Sequence, residues 1–121
     1  VGELEMLREA GLTPLEVIQA GTINGAREIW DPKGGEPPFG SIAVGKLADL
    51  VIVPENPLAN LKVLYGTGHS RLNRATNRLE TVGGVRWTIK DGVVFDAPAL
   101  LASVAQMVAA EKQRLGTAAG E

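Results

Sequence analysis

Hydrophobic and polar positions change their rhythm along the chain, and each rhythm predicts an element. From Glu3 to Ala10 the pattern is short and amphipathic, with Leu4 and Leu7 on one side, and Gly11 stands where a helix end favours a left-handed residue. The stretch TPLE, Thr13 to Glu16, follows. It carries an N-cap hydroxyl, a proline at the first helical position and a glutamate three residues after the cap, which together make a capping box. Beyond it Leu15, Ile18, Thr22, Ala26 and Ile29 recur at three- and four-residue steps. This predicts a helix over 14–28 with one buried face. Gly21 and Gly25 lie off that stripe; each weakens the helix by roughly 1 kcal/mol relative to alanine and leaves room for another backbone to approach.

The pattern then breaks at DPKGGEPPFG, Asp31 to Gly40, where proline and glycine exclude helix and sheet alike. Asp49 to Val53, DLVIV, is apolar at nearly every position, which predicts a strand covered on both faces. Leu61 to Tyr65 reads as another strand, and GTGHSRLNRATN after it as an exposed loop. Leu79 to Lys90 alternates through Val82, Val85, Trp87 and Ile89, with a bulge expected at Gly83-Gly84. KDGVVF carries the strongest turn signal. Its Asp-Gly pair tolerates the positive backbone dihedrals of a tight hairpin, so 85–89 and 93–95 are expected to pair antiparallel. Asp96 caps a last helix whose apolar stripe is Leu101, Val104, Met107 or Val108, and Leu115, with Gly116 and the tail ending it.

Composition narrows what these elements can do. Twelve basic and fourteen acidic residues among 121 give a net charge of −2, so no electrostatic footprint for nucleic acid or an anionic membrane is present. Cysteine is absent, which removes disulfides and thiolate chemistry and favours a cytoplasmic location. The apolar runs are far too short to span a bilayer, and no signal segment opens the chain.

GSIAVGKL, Gly40 to Leu47, matches a phosphate-binding P-loop except at its last position, where Leu47 replaces the Ser or Thr that reaches Mg²⁺. A P-loop also needs a strand before the first glycine and a helix starting at the lysine. Here prolines precede and a strand follows, so the two glycines are read as turns bracketing an extended 41–44.

The same residues resemble something else. GSIAVGKLADLVIVPENPL, taken with AGLTPLEVIQAGTINGARE upstream and VGGVRWTIKDGVVF downstream, looks like the C-terminal region of the metal-dependent amidohydrolase superfamily, of the imidazolonepropionase and dipeptidase kind. The motif Gly-Ser-Ile, a short gap, then Gly-Lys-x-Ala-Asp-Leu-Val is matched by Gly40, Ser41, Ile42, Gly45, Lys46, Ala48, Asp49, Leu50 and Val51. The resemblance implies an α+β fold. Residues 1–30 would be the terminal helices of a (β/α)₈ barrel and 31–39 a linker loop. Residues 40–96 would be the posterior, antiparallel or mixed half of a composite β-sandwich, and 97–121 a C-terminal helix and tail. It also implies a divalent metal, zinc or similar, in the intact enzyme. The family's His-x-His pair, bridging Lys, two further His and final Asp would all lie on strands before Val1.

No catalytic, cofactor-binding or metal-binding residue is therefore assigned to this chain. A catalytic zinc generally takes three protein ligands, mostly His, whereas the one histidine here is His69. His69 is read as an exposed turn residue, and Ser41 and Ser70 as hydroxyls without an activating base. Lys46 and Asp49 are expected to pair, or to satisfy backbone groups, across the turn into the strand. Arg71, Arg74 and Arg78 are read as a solvated face rather than an anion site, and Trp30 and Trp87 as packing aromatics. The expected function is that of a C-terminal amidohydrolase segment, structural and catalytically incomplete, that self-associates or binds the missing barrel and N-terminal sandwich. The alternative is a free-standing oligomeric scaffold without catalysis.

Overall fold

The helical start signals act where the sequence places them. In a computed structural model, which describes residues 1–118, the chain is α+β, with helices at both ends and small antiparallel sheets between them. Helix α1 spans Gly2–Glu9 and α2 spans Pro14–Gln19. The capping box is complete: Glu16 N donates to Thr13 Oγ1 (3.3 Å) and Thr13 N donates to Glu16 Oε2 (2.7 Å).

The single helix expected over 14–28 is instead three joined segments. A π-helical stretch, Ala20–Asn24, separates α2 from α3, Gly25–Trp30, and a 3₁₀ turn, Asp31–Lys33, extends the end. Thr22 Oγ1 donates back to Ile18 O at 2.6 Å, and such competition for a carbonyl loosens the regular ladder. Gly21 sits within this stretch and admits a side chain rather than a backbone: a Cβ there would lie 3.1 Å from Leu4 Cδ2 of α1.

The close backbone approach belongs to Gly40. Its φ is +85°, and a Cβ there would fall 2.4 Å from Ala26 Cβ and 3.2 Å from Thr22 O. The Pro/Gly loop thus folds back onto α3, burying Pro37 and Ala26.

Two small sheets follow. One has the order β1-β4-β5, with β1 at Leu50–Ile52, β4 at Trp87–Lys90 and β5 at Val93–Asp96. The β4–β5 hairpin turns on Asp91 (φ 49°) and Gly92 (φ 79°) as expected. β1 is a strand, but not a covered one: Val51 and Ile52 are 57% and 45% exposed. β4 is its hydrogen-bonded neighbour on one side only.

Three other expectations are corrected. Leu61–Leu64 is a 3₁₀ turn, because Asn60 Oδ1 accepts from Lys62 N (3.0 Å) and curls the chain; Leu61 and Val63 point inward. The stretch read as an exposed loop contains β2, His69–Asn73, which pairs with β3, Arg78–Val82. Asn73 Oδ1 accepts from Ala75 N (3.0 Å) and Thr76 N (3.3 Å), an Asx turn that closes this hairpin. Gly83-Gly84 is not a bulge but the point where the chain leaves one sheet for the other, anchored by Gly84 N donating to Val63 O (3.1 Å).

Helix α4, Ala97–Ala118, starts on its expected cap, with Ala99 N donating to Asp96 Oδ1 (3.0 Å). It runs through Gly116 rather than ending there; residues 119–121 of the predicted tail lie outside the described residues. The buried apolar core of the described residues is small: Val17, Ala26, Leu61 and Val63.

Gly40 and Gly92 make a matched pair of probes. Gly92 has positive φ, but a Cβ added there would meet nothing within 4 Å, so Gly92→Ala carries the backbone strain alone, about 1 kcal/mol. Gly40→Ala adds the collision with α3 and is expected to cost about 2–4 kcal/mol in urea denaturation. Equal losses at the two positions would disprove the contact.

Candidate functional site

The motif at 40–53 folds as a fastening. Lys46 Nζ donates to Ser41 Oγ at 2.7 Å, and Leu47 N donates to Pro38 O at 2.8 Å, so the segment between the glycines is pinned at both ends. Lys46 does not pair with Asp49, but Asp49 does satisfy a backbone N–H, the other role expected of it. Asp49 accepts from Lys90 Nζ (2.6 Å) and from Asp91 N (2.8 Å), while Gly92 N donates to Ala48 O (3.2 Å). The Ala-Asp pair thereby grips the tip of the β4–β5 hairpin. The Lys90 ammonium foremost, and then the Asp91 N–H, hold the Asp49 carboxyl below the usual carboxylate range.

Alongside β1 runs an apolar groove of about 740 Å³, lined among others by Leu4, Ile18, Ile42, Leu50, Ile52 and Val85. A smaller cleft of about 240 Å³ between α1 and the 3₁₀ turn mixes Glu5, Arg8, Glu9 and Asn60. Beside it the Tyr65 hydroxyl donates to Glu5 Oε2 (2.7 Å), and that bond raises the Tyr65 pKa above its ordinary value.

His69 is half-buried on a strand, not exposed in a turn. Its Nε2 lies 3.2 Å from Asn60 Nδ2. Because Asn60 Oδ1 is already engaged by Lys62 N, the amide presents its donor, which makes Nε2 the acceptor and puts the ring proton on Nδ1. That Nδ1 is the buried side-chain atom left without a partner among the described residues. A protonated Nδ1 has no lone pair for a metal, and no group of three His, Cys, Asp or Glu that could hold one occurs among the described residues. The donor set does not fit a divalent metal.

The remaining candidates also act on the fold. Arg71 reaches Glu80 (3.2 Å) across the β2–β3 hairpin and Glu55 (3.4 Å) outside it, and Asn73 Nδ2 donates to Glu80 (3.1 Å). Asn73 first, then Arg71, lower the Glu80 pKa. Arg74 lies in the turn and Arg78 on β3, both exposed, which agrees with a solvated set. Ser70 is exposed opposite Thr81. Trp30 packs edge-on against Phe39 (5.9 Å) under Lys33, and Arg86 stacks on Trp87 (4.0 Å). The Ser41–Lys46 and Asp49–Lys90 contacts were missed by the sequence reading, since partners 5 and 41 residues apart leave no local signal.

The family model for amidohydrolases matches residues 2–95. The chain belongs to the amidohydrolase family. No curated protein and no solved structure matches it. The amidohydrolase match takes in α1 to α3, the fastening motif and both sheets, and stops before α4. Amidohydrolases generally depend on a metal, and among the described residues no helix is long and apolar enough to cross a membrane.

The Asp49 fastening has a pH signature. A carboxyl with a lowered folded pKa adds stability above its unfolded value near 4, and that share is lost as pH falls through the folded value. Asp49→Asn should therefore be less stable than the parent chain at pH 7, with the gap in melting temperature closing below about pH 4. A gap that stayed constant from pH 7 to pH 3 would exclude the carboxylate as its source.

Proposed function

We propose that the chain is the C-terminal supporting part of a metal-dependent amidohydrolase, a hydrolase of C–N bonds other than linear peptide bonds. On this reading it completes a barrel and a composite sandwich and carries no catalytic residue of its own. The observation that carries the proposal is the uncovered β1-β4-β5 sheet. Val93, Val94 and Phe95 are consecutive on β5 and 57%, 58% and 40% exposed, and Val51 and Ile52 on β1 are similarly open. Adjacent strand residues point to opposite faces, so apolar side chains stand uncovered on both sides of one small sheet. A stable protein rarely leaves such a surface wet. A barrel segment along the β1 groove and a companion sheet over the other face would cover it.

The metal and the hydrolytic centre then belong to residues outside this chain, consistent with a donor set that does not fit one. A composition without cysteine suits the reducing cytoplasm, and the mild negative charge offers nothing to nucleic acid or an anionic membrane. The bare strand edge of β1 also favours the second reading, a free-standing oligomeric scaffold derived from the same architecture.

The encoding reading frame separates the two. An in-frame His-x-His segment upstream of Val1 is expected, and its full-length product, but not residues 1–121 alone, should hydrolyse amide-like substrates after zinc or manganese loading. A start codon directly before Val1, or turnover by the 121-residue chain, would overturn the proposal.

A further inference from the structure

Helix α4 lies beyond the family match, and its surface calls for a partner of a particular kind. Every residue from Pro98 through Gly116 is exposed, although residues 97–110 carry no charge at all. A helix apolar nearly all round is normally buried. At 100° per residue, Ala97, Leu100, Val104, Met107, Val108, Glu111 and Leu115 share one face. Leu100, Val104, Met107, Val108 and Leu115 on it are each 48–62% exposed. Glu111 is the one charge on that face.

We propose that α4 pairs antiparallel with α4 of a second copy of this chain, with the two-fold axis passing close to Val104. The placement follows from Glu111. It lies seven residues, about 10.5 Å, beyond Val104, and Ala97 lies seven residues before it. An antiparallel pair centred on Val104 sets Glu111 of each copy level with Ala97 of the other, at a helix end that Asp96 already caps, so Arg86 is the group Glu111 would reach. Arg86 stands at the same end: its backbone O accepts from Ala97 N (3.3 Å), and its Nη1 contacts Asp96 (2.8 Å). Glu111 keeps its own-helix contact with Arg114 (2.6 Å), and a carboxylate has lone pairs for a second donor. The same alignment levels Leu100 with Val108, so these apolar side chains meet across the axis. Two symmetric Glu111 to Arg86 contacts then bracket an uncharged seam, which selects antiparallel over parallel pairing.

The inference concerns residues that the reading as an amidohydrolase segment does not use, so either can fail alone. The chain lacks cysteine, which makes single-cysteine variants of the full chain direct reporters. Val104→Cys, on the axis, should oxidise to a covalent dimer. Gln106→Cys, turned about 160° away from that face, should not. Glu111→Arg and Arg86→Glu should each weaken dimerisation roughly tenfold by sedimentation equilibrium, and the double variant should restore it. A monomer at tens of micromolar, equal cross-linking at 104 and 106, or a double variant as weak as the singles would overturn the proposal.

Discussion

Asp49 is the interaction on which the arrangement of the sheet turns. β1 has three residues and, among the described residues, pairs with β4 alone, too little ladder to fix its own register. The carboxylate at its entry supplies what the ladder lacks: it takes a side-chain and a backbone hydrogen bond from the tip of the β4–β5 hairpin. One residue of slippage would exchange the two faces of β1 and pull Asp49 away from both donors. The turns at Gly40 and Gly45 and the Lys46 to Ser41 clamp deliver Asp49 to that place, which explains why a motif shaped like a nucleotide loop ends as a mechanical joint.

Local signals are legible in this sequence and distant ones are not. Thr13 and Glu16, Asp91 and Gly92, and Asp96 each act within four residues of themselves, and each produced the element its chemistry predicts. Leu61–Leu64 failed because Leu61 and Val63 alternate with Lys62 as a strand would, and only the Asn60 side chain decides for the turn. The β2–β3 hairpin failed because its pairing is polar: Arg71 with Glu80 and Asn73 with Glu80 look like loop composition until they stand opposite each other. The π segment at 20–24 goes with the Thr22 hydroxyl donating back to Ile18 O, a contact that hydrophobic periodicity does not record.

Of the functional readings, the family was legible from the spacing of 40–51. The partners of Lys46 and Asp49 were not, since the sequence offered each as the other's neighbour and both came from elsewhere. The apolar run DLVIV fits a covered strand, but among the described residues Val51 and Ile52, on opposite faces of β1, are both exposed.

The order of the strands in the larger sheet has a further consequence for synthesis. β4 and β5 are joined by two residues and can close as soon as they leave the ribosome, on the microsecond scale of a hairpin. β1 emerges first yet must wait for β4, because Asp49 and Lys90 stand 41 residues apart. Throughout that interval DLVIV travels as a nascent, unpaired apolar ribbon, the kind of exposed edge that invites mispairing.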